Sequence, residues 1–293
     1  APQQAVLWGF TAPGSTVTTV MTSSTCNSAS GSDQDVAACH GQSFSTVADS
    51  KGTWRQKLPA TPASKTAYSF RFTSSSALKE TANISDVLFG DVFLCGGQSN
   101  MEFSMAAVAN RTTERQDAND FPTIRFFSVG HRTASPTPLR NLQTVWEPWQ
   151  VASNLTINQN FGPGHTLFST FSAVCWLFGK EVSKQLSASG DVPIGLVSNN
   201  WGGTKVEVWT PKSAYSACPN RSNDAVDGPM YNAMILPYAE GPMALSGITF
   251  YQGEANTANS TTAEEYGCLF PQMITAWRNA LKAPSLWFGF VQL

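Results

Sequence analysis

The sequence predicts an α/β protein: a mostly parallel sheet flanked by helices, preceded by a smaller, β-sandwich-like region. Three observations carry that prediction. Residues 1–85 show short apolar runs broken by turn residues, with no helical period. From about residue 86, strand-like runs alternate with amphipathic helical stretches. Three of the later strand runs also end in polar, glycine-containing clusters, and ligands of parallel sheets gather beyond the carboxyl ends of the strands.

In the first region, AVLWGF (5–10) and STVTTVMT (15–22) read as strands separated by the turn-forming TAPG. GTWRQKLPA (52–60) and AYSFRFT (67–73) read as two more, and the Ser, Gly, Asp and Asn between 23 and 35 as a loop. The division is expected at 1–85 and 86–293. In the second region, DVFLCGG (91–97) is a buried strand running into a glycine turn, and TIRFFSV (123–129) is another. Residues 131–165, with prolines at 136, 138, 148 and 163, read as an irregular excursion. Leu167, Phe171, Cys175, Phe178, Val182 and Leu186 recur at three- and four-residue steps and predict a helix over 166–188. IGLVSN (194–199) and GITFYQG (247–253) are strands, 263–282 a helix, and LWFGFVQL (286–293) a last strand. There are no internal repeats.

Composition narrows the function classes. Charged residues make up 13% of the 293, about half the ~25% usual for soluble proteins, and the net charge is −2. That gives no electrostatic basis for nucleic-acid binding. No apolar run reaches the roughly 18 residues that a transmembrane helix needs. The six cysteines show no CxxC or Cys/His cluster, so no metal site is expected. Their even number, with Asn-x-Ser/Thr acceptors at Asn83, Asn110, Asn154, Asn220 and Asn259, favours the secretory route. The expected localisation is secreted or lysosomal. Cys26 and Cys39 flank a polar loop and are the expected pair; Cys95 and Cys175 lie in apolar runs and are expected as buried thiols. The abrupt start at Ala1 suits a mature protein or a fragment.

The three clusters carry the chemistry. In Gly96-Gly97-Gln98-Ser99-Asn100-Met101-Glu102, a buried strand delivers a serine through two glycines. A serine so presented can attack an ester carbonyl, with backbone N–H groups receiving the oxyanion. The same turn would equally serve to let Ser99 or Asn100 cap a helix. In Ser198-Asn199-Asn200-Trp201-Gly202-Gly203-Thr204, the glycines can expose an N–H and Trp201 can stack on a sugar; a plain turn with a core tryptophan is the alternative. In Tyr251-Gln252-Gly253-Glu254, the Gln252 amide can donate to an oxyanion and Glu254 can orient a partner or bind a hydroxyl, or both are solvated groups at a strand end. A serine esterase also needs a general base. His40, His131 and His165 are the only histidines, and none follows a carboxylate in a short Asp-x-x-His arrangement.

Taken together, GGQSNMEF, NNWGGTKVEVW and ITFYQGEANT resemble the sialate O-acetylesterase family of SGNH-type hydrolases. AVLWGFTAPGSTVTT, DVLFGDVFLCGGQSN, SAVCWLFGKEV, YNAMILP and WFGFVQL resemble it too, so the likeness runs in order along nearly the whole chain. It implies flavodoxin-like layering and removal of O-acetyl groups, typically from sialic acids, with no metal or organic cofactor. Ser99 matches the nucleophile. The Ser99 N–H, the Gly203 N–H and the Gln252 side chain match the oxyanion positions, while Asn100, Trp201 and Glu254 fall in motif positions expected to meet substrate. The family takes its catalytic Asp and His from an Asp-x-x-His-type segment after the strand matched by WFGFVQL, and this sequence stops at Leu293 on that strand. The pair is therefore expected from a C-terminal part missing here, either a continuation or a second chain left by processing. Two alternatives stay open: an acetylesterase acting on plant polysaccharide, of acetylxylan type, and a non-catalytic carbohydrate-binding relative without the base.

Overall fold

The computed structural model describes residues 3–24, 41–130, 134–160, 167–187, 190, 192–218, 227–241 and 243–293. The chain divides into two compact units, residues 1–90 with 191–193 and residues 91–190 with 194–293.

The first unit holds strands β1 (Val6–Phe10), β2 (Thr16–Ser23), β3 (Gln42–Val47), β4 (Thr53–Lys57), β5 (Ser64–Ser74) and β6 (Thr81–Phe89). β1 pairs with β4, and the other four form an antiparallel sheet in the order β3-β2-β5-β6. Period-two alternation builds the core: Val17, Thr19 and Met21 of β2 and Phe70, Phe72 and Ser74 of β5 are buried, with Trp54 and Leu58 beside them. β3 and β6 carry no such alternation of buried residues and are largely exposed.

The second unit holds β7 (Asp91–Gly97), α1 (Ser99–Glu102), α2 (Arg111–Asp117), β8 (Ile124–Val129), β9 (Val145–Val151), α3 (Ala173–Ser187), β10 (Ile194–Asn200), α4 (Leu236–Glu240), β11 (Gly247–Tyr251), α5 (Ser260–Ala280) and β12 (Trp287–Phe290). Its six-stranded sheet has the order β12-β11-β7-β10-β8-β9. Every pairing is parallel except that of β9 on β8. The fold class is the expected one: α/β, mostly parallel, helices on both faces. Central strands buried on both sides read as continuous apolar runs because alternate side chains serve different layers. Phe93, Cys95, Ile194 and Leu196 face α3 with Trp176, Phe126 and Phe171. Leu94, Val197, Ile248 and Phe250 face α5 with Trp209, Met273 and Trp277. Trp176, Trp209 and Trp277 are wholly buried, each contributing roughly 2–3 kcal/mol of burial.

Two elements differ from expectation. The supposed excursion over 131–165 contains β9, whose Pro148 sits in an edge strand paired on one side only, where a missing N–H costs no ladder bond. The helix expected over 166–188 begins at Ala173. Ser172 stops it there: its Oγ accepts the Cys175 N–H at 3.1 Å, as a capping hydroxyl does. The apolar Leu167 and Phe171 instead offer their carbonyls to the Ser104 and Met105 N–H groups.

The expectation that Cys95 and Cys175 are free buried thiols is corrected: they form a disulfide, as do Cys218 and Cys268. Cys95 points from β7 toward the first turn of α3, where Cys175 lies with a Cα–Cα distance of 5.8 Å, within bonding range. The bond ties the strand that delivers Ser99 to the helix packed on it. Cys26 and Cys39 lie outside the described residues, as do the three histidines. Among the described residues, no helix is long and apolar enough to cross a membrane.

Glu147 of β9 is fully buried, accepting from Ser128 Oγ at 3.4 Å and Gln150 Nε2 at 2.8 Å. Burial pushes its carboxyl up to about 9, against a weaker downward pull from Ser128.

Two outcomes are expected. Non-reduced peptide mapping should recover Cys95 joined to Cys175 and Cys218 joined to Cys268, and replacing the Cys95–Cys175 pair by alanines should cost on the order of 4 kcal/mol in the chain-entropy account. Because Glu147 holds its proton more tightly folded than unfolded, stability should fall as pH rises from about 4.5 towards about 9. Glu147→Gln keeps the shape and the polar contacts without the charge. It should flatten that slope and stabilise the protein by about 1–3 kcal/mol at pH 8, read by urea unfolding.

Candidate functional site

The site is set by register. In the parallel ladder, Gly97 of β7 stands opposite Asn200 of β10 on one side and Tyr251 of β11 on the other. The three polar clusters therefore leave three adjacent strands at one level, at the carboxyl edge.

Gly97 turns the first cluster. Its φ is +139°, and a Cβ there would lie 2.1 Å from the Tyr251 carbonyl oxygen, so only glycine lets β7 lie this close to β11 while turning. Gln98 follows, its N–H bonded to Tyr251 O at 3.0 Å, and Ser99 opens α1. Neither Ser99 nor Asn100 caps the helix; Gln98 holds the cap position without a side-chain bond. Ser99 is half-buried, and its hydroxyl and its N–H have no hydrogen-bond partner among the described residues. The capping alternative is thus not what the serine does here.

The second cluster folds back over that turn. Trp201 N–H bonds Gly97 O at 3.0 Å, and Gly202 N–H donates to the Glu102 carboxylate. A Cβ on Gly202 would lie 3.5 Å from Ser99 Cβ, so the Gly202–Gly203 turn rests against the serine. Gly203 has φ +72°, is exposed, and its N–H is likewise unpartnered among the described residues. Trp201 is half-buried against the α5-side core.

The third cluster is a polar knot. Gln252 Nε2 lies 3.0 Å from Thr204 O, 2.9 Å from Asn256 Oδ1 and 3.2 Å from Gln98 Oε1. Asn256 Oδ1 also accepts from Val206 N–H, and its Nδ2 donates to Glu207. Gln98 Oε1 also accepts from Ala255 N–H. These bonds fix the amide orientations: three acceptors share the two Gln252 hydrogens, and Gln252 Oε1 is buried without a partner among the described residues. Glu254 accepts from Asn100 Nδ2 through one carboxylate oxygen, while the other is buried and unpartnered among the described residues. Tyr266, bonded to Gln252 O at 2.9 Å, has its hydroxyl pushed up to about 12 by burial and then by the nearby Glu254 charge.

Ser99, Asn100, Trp201, Gly203, Gln252 and Glu254 thus all arise at one edge of one sheet. Gln98, Asn256 and Thr204 were given no role from the sequence, because the bonds that join them to Gln252 cross between the three clusters or span the Gly253 turn. Among the described residues no cluster could hold a metal ion.

Residues 89–293 match the family described as carbohydrate esterase, sialic acid-specific acetylesterase. The chain is similar to the sialate O-acetylesterase of Mus musculus, 32% identical over 343 aligned positions covering all of this chain and 57% of the relative. It is 33% identical to that of Homo sapiens over 313 positions, covering all of this chain and 54% of the relative. The crystal structure of a carbohydrate acetylesterase from Xanthomonas citri superposes with a TM-score of 0.75 at 30% identity, covering 99% of this chain and 56% of that one. The chain spans little more than half the length of the relatives it matches.

Gln252→Glu tests the knot. A carboxylate there would face Thr204 O, Asn256 Oδ1 and Gln98 Oε1, acceptors all. The variant should lose about 2–3 kcal/mol at pH 8 and recover part of it at pH 5, when the new carboxyl can be protonated. A melting temperature equal to wild type at both pH values would contradict the arrangement.

Proposed function

The chain belongs to the sialic acid-specific acetylesterase family of carbohydrate esterases, and from that premise we propose that it carries the nucleophile and oxyanion site of a serine O-acetylesterase acting on sialic acids. One observation supports this above the others: the Ser99 hydroxyl, the Ser99 N–H and the Gly203 N–H are all unengaged among the described residues, on two turns in contact. An oxyanion site needs donors that are free and aimed at the place where the charge develops.

The reaction runs in two halves. Ser99 Oγ adds to the acetyl carbonyl while a histidine takes its proton. The oxyanion forms against the Ser99 and Gly203 N–H groups. Gln252 joins as a third donor by giving up its longest contact, 3.2 Å to Gln98 Oε1, since a charged oxygen attracts an N–H more strongly than a neutral amide does. Collapse breaks the ester bond, the sugar hydroxyl leaves with the proton, and acetyl-Ser99 remains. Water, deprotonated by the same base, then releases acetate and restores the serine. Asn100, exposed beside Ser99 and bonded to Glu254, meets sugar hydroxyls, and Trp201 covers an apolar sugar face. The chemistry calls for no metal or organic cofactor.

The base and its aspartate come, in this reading, from the part of the longer relatives that this chain does not span, as a continuation or a second chain. The disulfides fit an extracytoplasmic site, secreted or lysosomal. Acetylated plant polysaccharide is the alternative substrate. A carbohydrate-binding protein without turnover is the alternative function.

The chain by itself should release little acetate from O-acetylated sialic acid, because a serine hydroxyl is a weak nucleophile until a base takes its proton. Joined to the Asp/His-bearing segment, it should turn over, and Ser99→Ala should then lower kcat by about 10⁴-fold or more with the fold intact. Faster release from acetylated xylan would move the substrate assignment. An inactive joined protein that still binds acetylated sugar would favour the binding reading.

A further inference from the structure

Glu102 is a carboxylate that the esterase reaction does not use, yet it lies three residues beyond Ser99 on the same short helix. That spacing puts it on the face of α1 turned toward the second cluster, where it receives the Gly202 N–H. The fit is close: a Cβ on Gly202 would come within 2.7 Å of Glu102 Oε2 and 3.5 Å of Ser99 Cβ. Gly202 is therefore held between the carboxylate and the serine, and Gly203 is the next residue. We propose that ionised Glu102 is the positioning residue of the oxyanion site, clamping the Gly202–Gly203 turn against Ser99. This rests on the reading of Ser99 and Gly203 given above.

The charge on Glu102 is poised to change. Burial pushes its carboxyl up to about 7, and the Gly202 N–H pulls it back down. α1 packs on β7, β10, β11 and α3. Their titratable and charged groups are Asp91, Tyr251, Lys180, Glu181 and Lys184, and none of them enters the balance at Glu102. Lys180 is engaged with Glu114 and Asp117, Lys184 with Glu181, and Asp91 with Ser246. Of the other carboxylates at this edge, Glu254 is bonded to Asn100 and Glu207 to Asn256. A neutral carboxyl is a weaker acceptor than a carboxylate, so the clamp loosens as Glu102 takes up its proton.

The test reads the clamp directly. Trp-Gly occurs twice in the sequence, at Trp8-Gly9 and Trp201-Gly202. Carbonyl-¹³C tryptophan with ¹⁵N-glycine therefore marks two amides, with Gly9 as internal control. The Gly202 amide resonance should titrate between pH 5 and 9 with a midpoint near 7 while Gly9 stays still. In Glu102→Gln the Gly202 amide should not titrate, and in Glu102→Asp, which keeps a charge but is too short to reach, it should lose its downfield shift. A Gly202 resonance that is flat in wild type, or titrates equally in Glu102→Gln, overturns the proposal. Turnover gives the second readout in protein joined to its Asp/His segment. The ratio of wild-type to Glu102→Gln kcat should rise from about one at pH 5.5 to about ten at pH 8.5, with KM unchanged. Taking the ratio cancels the titration of the shared base. A constant ratio, or a change confined to KM, overturns a positioning role. If Ser99→Ala leaves turnover intact, the esterase reading fails by itself, and the Gly202 titration still judges the clamp.

Discussion

The site depends on one constraint, the parallel register that places Gly97 between Asn200 and Tyr251. In a parallel ladder the strands all run the same way, so their carboxyl ends fall on one edge. Had β7 been shifted by one residue against either neighbour, its side chains would change faces. Cys95 would then turn away from Cys175, and Leu94 away from the α5-side core. Both apolar layers therefore enforce the alignment that brings Ser99 beside Gly202. Packing far from the edge sets the geometry at the edge, and the Cys95–Cys175 bond makes that alignment covalent on one face.

What the register aligns, the polar knot holds. Loops leaving a sheet have lost their ladder bonds and must satisfy their backbone groups elsewhere. Thr204 O, Val206 N–H and Ala255 N–H find partners in Gln252, Asn256 and Gln98, three amides that each carry donors and acceptors. Gln252 links all three clusters at once. The cost shows in its own oxygen, buried and unpartnered among the described residues. A buried orphan acceptor costs of order 1–3 kcal/mol, a sizeable fraction of the stability of a domain. Such a cost is tolerable where it fixes a functional geometry.

The parts legible in the sequence are those where burial is two-sided or a motif is dense. DVFLCGG, IGLVSN and GITFYQG were readable as central strands because both faces of each are covered. The clusters that end them were readable because glycine, serine and amides were packed together. β3 and β6 were missed because they lie mostly in solvent and show little alternation. β9 was hidden by Pro148, which argues against a strand unless the strand is known to be at an edge. The start of α3 was misjudged because Leu167 and Phe171 continue the helical period without being in the helix; only the capping by Ser172, a contact rather than a pattern, marks the boundary. The Cys95–Cys175 bond and the Gln252–Asn256–Gln98 knot join residues up to 154 positions apart, and no local pattern announces a pairing of that kind.

Glu102 and Glu147 show how far burial raises two carboxylates of one unit, and what limits it. At Glu147 the 3.4 Å bond from Ser128 offsets little of the burial, so the carboxyl stays protonated at neutral pH and fixed in the core. Glu102 is bonded by a backbone N–H, a donor that prefers the charged form, and this limits how far burial raises it. Ionising Glu102 therefore weakens the fold, since the charge is removed from water, while tightening the turn that it holds. Stability and order at the site have opposite pH dependences through the same group. A leucine at 102 would remove the desolvation cost and leave Gly202 N–H without its acceptor. The structure is built around the costlier residue, which follows if holding the Gly203 turn, and not stability, is what that position does.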